Sequence, residues 1–231
     1  MTYNIVIRDI ETRSRVARGL LGVMLSIALG GCGHDPVDAI VARLRDPNAE
    51  VRRTATHSLV EHPINDNRVI EELTKNVSDK SSELRYESAE ALGKLGPAAR
   101  SSLPLVILRL QDGDKNVRLR AAFSIHKIDP GDQSFVPVLA GAMREGDGRT
   151  LLEVGSLGPD AAWAVPTLSG LLTHESPKVR TLAARALGNI GPAASAAKTA
   201  LEAARSDSNA GVQKAATDAL ARVQKPAETA K

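Results

Sequence analysis

From about residue 35 onward the apolar residues recur at helical spacing, in blocks separated by turn residues. Val179, Ala183, Ala184, Leu187 and Ile190 fall on one face of an amphipathic helix. The blocks repeat. The pairs Val51-Arg52, Leu84-Arg85 and Val117-Arg118 stand 33 residues apart, and so do Val179-Arg180 and Val212-Gln213. Asp46, Asp79, Asp112 and Asp207 precede them at a constant distance, with His174 in that place in one copy. A second marker runs Gly96-Pro97, Asp129-Pro130, Gly158-Pro159 and Gly191-Pro192, in steps of 33, 29 and 33 residues. The interval from Val117 to Val179 therefore hides one further copy, four residues short. A fixed period in this range predicts a solenoid, in which each unit buries its apolar face only against its neighbours.

Each unit reads as two helices. Helix B follows the Asp and stops where Gly supplies a left-handed cap; the next Pro is tolerated because a first turn needs no amide donor. Pro104, Pro137 and Pro166 each lie seven residues past that Pro and open or kink helix A. The apolar face of helix A includes Leu105, Val106, Leu108 and Leu110 in one copy and Leu168, Leu171 and Leu172 in another. Ala89, Ala122 and Ala184 share one slot and Gly93, Gly155 and Gly188 another, so neighbouring helices can approach closely there. The copies depart from the pattern where Asp147 stands in the Arg slot, His126 in the Gly slot and Gln213 in the last Arg slot. The short copy is expected to bend or locally tighten the stack.

The run Leu187-Gly188-Asn189-Ile190-Gly191-Pro192-Ala193-Ala194, with Ala164-Val165-Pro166 and Val179-Arg180 before it, resembles the HEAT-like repeat named for phycobilisome lyases. The resemblance extends from about Asp35 to Val223. It implies an all-α fold, a right-handed α-α superhelical solenoid of about six HEAT-like hairpins with A helices convex and B helices concave.

Composition supports helices and narrows the partners. Aromatic residues are only 2% of the chain, so the core is built from Ala, Leu, Val and Ile. Without the first 31 residues the chain holds 26 basic and 25 acidic residues, near +1, which is little charge for displacing counterions from nucleic acid. Arg52, Arg85, Arg118 and Arg180 sit in the first turn of helix B, where a cation opposes the helix dipole. Asp46, Asp79 and Asp112 offer an offset: each can cap helix B and pair with an Arg of its own or an adjacent repeat. We read the set as a structural ladder, weakest at His174.

Ahead of the repeats, Arg13, Arg15 and Arg18 precede an apolar run from Leu20 to Leu29, which ends at Gly30-Gly31-Cys32. That is the order of a secretory signal, although Asp9 and Glu11 are atypical of its charged region, and the run is shorter than the ~20 residues of a permanent span. The alternatives are an uncleaved N-terminal membrane helix and an apolar helix packed on the solenoid. Leu29-Gly30-Gly31-Cys32 resembles a bacterial lipobox, which implies lipidation of Cys32 and anchorage outside the cytoplasm. The organisation expected is a signal over 1–31, a solenoid over 32–225 and a frayed tail over 226–231.

Chemistry is sparse. Cys32 is the single cysteine, the five histidines show no zinc-site spacing, and His174-Glu175 is a lone His-Glu pair that reads as a surface turn. No phosphate loop or nucleophile elbow is present. We expect no cofactor, metal or nucleic acid, and a protein partner. Once helix B has buried its stripe, the outward slots hold Tyr86, Leu119, Arg120, Phe123, Leu182 and Arg185, which are candidate contact residues unless Phe123 and Leu182 fill gaps between neighbouring B helices. Trp163 reads as core or convex-edge packing. The leading expectation is a membrane-tethered scaffold. The resemblance leaves open a bilin (phycobilisome) lyase or isomerase in the cytoplasm, and the stacking pattern a structural subunit of a larger assembly.

Overall fold

The computed structural model describes residues 35–225, which are helical with no strand among them. The leader, Cys32 and the tail from residue 226 lie outside the described residues. Six helical hairpins follow one another: α1 (Pro36–Leu44) with α2 (Ala49–Glu61), α3 (Asn67–Asn76) with α4 (Ser82–Leu95), α5 (Leu103–Leu108) with α6 (Lys115–Ile128), α7 (Val136–Arg144) with α8 (Gly148–Ser156), α9 (Val165–Leu171) with α10 (Pro177–Ile190), and α11 (Lys198–Ala204) with α12 (Ala210–Val223). Odd-numbered helices are the A helices and even-numbered ones the B helices. They stack serially into the all-α solenoid that the period predicts.

The punctuation residues act as expected. Gly96, Gly158 and Gly191 take φ of 57°, 60° and 68° at the ends of B helices, a conformation that costs an L side chain strain. Pro104, Pro137 and Pro166 are the second residues of α5, α7 and α9, where no intrahelical amide bond is lost. The core runs along the stack without a centre, through Leu44, Leu73, Leu92, Ile125, Leu139 and Leu168, each at most 1% exposed.

Successive B helices approach one another more closely than successive A helices, which puts the B row on the inside of the curve. Small residues allow this. A Cβ added to Gly188 would lie 2.9 Å from the Ala219 Cα, and one added to Gly155 would lie 3.2 Å from the Ala186 Cβ. At Gly93 it would meet Ser124 Oγ, which donates to the Ala89 carbonyl at 2.6 Å.

One junction departs from this rule. The four missing residues fall at the start of α8, which has 9 residues where the other B helices have 13 or 14. Asp147, in the Arg slot when counted back from the Gly-Pro marker, is the N-cap of the shortened helix and accepts the Thr150 amide at 2.9 Å. The expectation that the short copy tightens the stack is corrected: α6 and α8 do not make the close approach seen at the other B–B junctions. Large side chains fill the space. His126, in the Gly slot, meets Phe135 edge-on at 5.1 Å and Trp163 at 6.3 Å, and Phe135 meets Trp163 at 5.1 Å. The His126 Nδ1 and Trp163 Nε1 atoms are buried there without a hydrogen-bond partner among the described residues.

Candidate functional site

At the A–B turns the Asp and Arg residues form a register between repeats. The Arg52 guanidinium reaches Asp79 at 2.6 Å, Arg85 forks onto Asp112 at 2.7 and 2.8 Å, and Arg180 forks onto Asp207 at 2.7 and 2.8 Å. Each pair joins one hairpin to the next. The other side of each fork answers the helix-dipole cost: Arg85 Nη1 donates to the Asp79 and Lys80 carbonyls at 3.0 and 3.1 Å, and Arg52, Arg118 and Arg180 repeat the contact. Gln213 keeps it alone, donating to the Asp207 carbonyl at 2.6 Å.

The expected capping role of Asp46, Asp79 and Asp112 is corrected. The caps are Asn48, Ser81 and Asp114, two residues later, and the earlier Asp accepts their backbone amides at 2.8, 2.9 and 3.0 Å. The spacing explains it: the Asp, five residues before the first apolar Val or Leu of helix B, stands two residues too early to reach the open amides of that helix. Burial pushes the Asp112 carboxyl upward, but Arg85 and the Asp114 amide outweigh it and hold the group below the usual carboxylate range; Asp79 behaves alike. For Asp207 the Arg180 fork dominates, in the same direction.

The ladder is interrupted at the loose junction. Arg118 has its two carbonyls and no carboxylate within ion-pair distance among the described residues. Counted from the cap, Leu151 follows in the Arg place of the fourth hairpin, and His174 receives no guanidinium; its Nδ1 accepts the Ser176 amide at 3.0 Å.

The outward side of the B row carries the candidate contact residues, and the structure sorts them. Phe123 is 2% exposed and Leu182 9%, so the expectation that both face outward is corrected; they fill gaps between neighbouring B helices. Phe123 lies at the loose α6–α8 junction, beside Asp147, Thr150 and Glu153 of the fourth hairpin. Arg120 is also buried and is held between two neighbouring B helices: it donates to Glu153 of α8 at 3.0 Å and to Tyr86 Oη of α4 at 2.7 Å, with its guanidinium 5.0 Å from the centre of the Tyr86 ring. Arg149 donates to the same hydroxyl at 3.2 Å. Tyr86 and Leu119 are half-buried, and Arg185 is exposed.

Beside this cluster the shortened α8 leaves an open recess of about 680 Å³ against α10, lined by Gly148, Arg149, Leu152, Glu153, Lys178 and Leu182. Leu152 is 61% exposed. Sequence reasoning missed Arg149, Leu152 and Lys178, although the Gly-Pro offset carried the signal: moved by 62 residues, the outward slots of Glu87 and Glu90 become Arg149 and Leu152.

Elsewhere on the B row, burial pushes the Glu87 carboxyl upward despite His57 at 3.6 Å and Arg53 at 3.7 Å. Among the described residues no three His, Cys, Asp or Glu side chains gather as a metal site, and no helix is long and apolar enough to cross a membrane.

No curated protein matches the chain significantly. Solved structures do. An engineered protein is similar at 23% identity with a TM-score of 0.52, covering 82% of this chain and 97% of its own. A second engineered protein is similar at 20% identity and a TM-score of 0.51, covering 83% and 99%. The complex of CpcE and CpcF of phycocyanin lyase from Nostoc sp. PCC7120 is similar at 22% identity and a TM-score of 0.53, covering 85% and 79%. These likenesses concern the fold. Residues 8–93, 70–158 and 148–221 match HEAT repeats, and with that near-continuous coverage the chain belongs to the HEAT-repeat family.

Proposed function

We propose that this HEAT-repeat solenoid is a membrane-tethered scaffold that binds a protein partner along its concave B-helix surface. The observation that supports it best is the composition of the B row at mid-stack. Leu152 stands 61% exposed in one recess, and the half-buried Tyr86 and Leu119 line an adjoining cleft that shares Arg149 and Glu153 with it, where solvent alone would favour polar side chains. An open curved wall of stacked hairpins offers such contacts over a length that a compact fold of this size lacks. The tethering reading is supported by the sequence, by the Arg-flanked apolar run and the lipobox-like Leu29-Gly30-Gly31-Cys32, whose resemblance implies an acyl anchor on Cys32 outside the cytoplasm.

Photocrosslinking maps the face. With a photoreactive residue at Lys94, Lys127 or Arg185, partner adducts form in membranes, and with one at Leu108, on helix α5 of the A row, they do not. Adducts from Leu108 alone would reject the concave face. Labelling with a palmitate analogue marks the wild type and not Cys32→Ala; an unlabelled wild type would reject the anchor.

The alternative, a bilin lyase-like activity, is supported by the resemblance of the repeat and by the likeness to the phycocyanin lyase complex. A fold hosts many functions, so this support is the weaker of the two. Co-expression with a bilin and its acceptor protein, yielding a covalently coloured product, would favour it.

A further inference from the structure

The recess between α8 and α10 has a charge pattern that narrows what can occupy it. Lys178 lines the recess, and the exposed Arg185 lies beyond that lining, seven residues further along the same face of α10, about 10 Å along the axis at ~1.5 Å per residue. Leu182 lies between them and leans over the shortened start of α8, its Cδ1 3.6 Å from where a Cβ on Gly148 would stand. Arg149 and the exposed Leu152 face it from α8. Arg149, Lys178 and Arg185 have no carboxylate within ion-pair distance among the described residues. The nearby acids are already engaged: Glu153 by Arg120 at 3.0 Å, and Asp147 by Lys115 at 3.4 Å.

Resting on the scaffold reading above, we infer that this recess is a docking slot for an extended acidic segment of a protein partner, with an apolar side chain between two carboxylates about 10 Å apart. The apolar side chain covers the exposed Leu152 against the edge of the buried Leu182 that lines the recess, and the carboxylates meet Lys178 and Arg185. A polyproline II segment advances about 3.1 Å per residue with three residues per turn, so acids at i and i+3 lie on one side about 9 Å apart. A nucleic-acid backbone fits less well, because it offers nothing apolar to the two leucines and the Glu153 carboxylate repels a polyanion.

The test is fluorescence anisotropy on the full chain, with a labelled peptide Pro-Glu-Pro-Leu-Glu-Pro as probe. It binds, and Lys178→Glu with Arg185→Glu weakens it at least about tenfold, with a strong salt dependence in the wild type. Leu152→Ser weakens it several-fold. These residues are on the surface or its edge, and the circular dichroism melt is unchanged. A Lys-for-Glu peptide binds the double variant better than the wild type. Four outcomes would overturn the slot: no binding of the acidic peptide, equal binding of the Lys peptide by the wild type, no effect of the double variant, or tighter binding of oligouridylate. If the slot fails while crosslinks still form from Lys94 and Lys127, the concave scaffold stands and only its acidic ligand is wrong.

Discussion

Arg85 and Arg118 occupy the same position in successive repeats but meet different neighbours, which makes them a natural comparison. Arg85 forks onto Asp112, whose side chain is 3% exposed, while Arg118 holds only two backbone carbonyls. Removing the cation from a desolvated pair strands its carboxylate, so Arg85→Ala costs about 3 kcal/mol and Arg118→Ala under about 1 kcal/mol, read as shifts in urea midpoint. Equal losses would assign the effect to the carbonyl contacts instead. The pH dependence has a definite sign. The folded Asp112 carboxyl lies below its unfolded value, so its contribution is present above about pH 4 and is lost as pH falls through the folded value. The gap between wild type and Arg85→Ala therefore closes in acid.

At the scale of the helix, the glycines divide by what a side chain would meet. In α10 a Cβ on Gly188 would press on the Ala219 backbone at 2.9 Å, whereas one on Gly141, inside α7, meets nothing within 4 Å. Gly188→Ala gains helix propensity but forces α10 and α12 apart, for a net loss of about 1–2 kcal/mol; Gly141→Ala gains up to about 1 kcal/mol. Opposite shifts in thermal midpoint check the pair, and a stabilised Gly188→Ala would refute close B–B packing. Such positions were legible in the sequence because each repeat restates them: the hairpins, their capping glycines and the close-packed slots all follow from period and residue size. The direction in which a side chain settles at one junction was not. Phe123 stands in an outward slot by register and is nevertheless buried, at the junction where α6 and α8 stay apart, where His126 takes the Gly slot and α8 lacks its first turn. Arg149 and Leu152 escaped because the shortened copy displaces the register by four residues; Lys178, beside the intact Val179-Arg180 marker, stood in register and was passed over as an ordinary exposed lysine of a first turn.

Across the whole molecule, both kinds of inter-repeat contact fail together at one junction, whereas the next junction lacks only its ladder rung, at Leu151 and His174. Between the third and fourth hairpins the B helices lack close small-residue packing, and Arg118 lacks its carboxylate. The aromatic wedge of His126, Phe135 and Trp163 holds this junction instead. In a quasi-one-dimensional stack, stability is a sum over neighbouring interfaces, so the solenoid opens first at its weakest one. That interface carries a titrating group. Burial holds the His126 ring below the ordinary histidine value, outweighing Asp160, which pulls it up, and Lys127 pushes it further down. The unfolded chain takes up the proton more readily, so the contribution of His126 is complete above about pH 6.5 and is lost as pH falls below that value. Hydrogen exchange across α6 to α8 is expected to accelerate between pH 7.5 and 5.5 relative to α10 and α12 at matched intrinsic rates, and His126→Gln is expected to remove that pH dependence. A slope that survives the substitution would place the acid-sensitive junction elsewhere. Because the recess of Leu152 and Lys178 borders the same hinge, loosening it would alter the spacing of Arg149 and Tyr86 before it altered that of Lys178 and Arg185, which share one rigid helix.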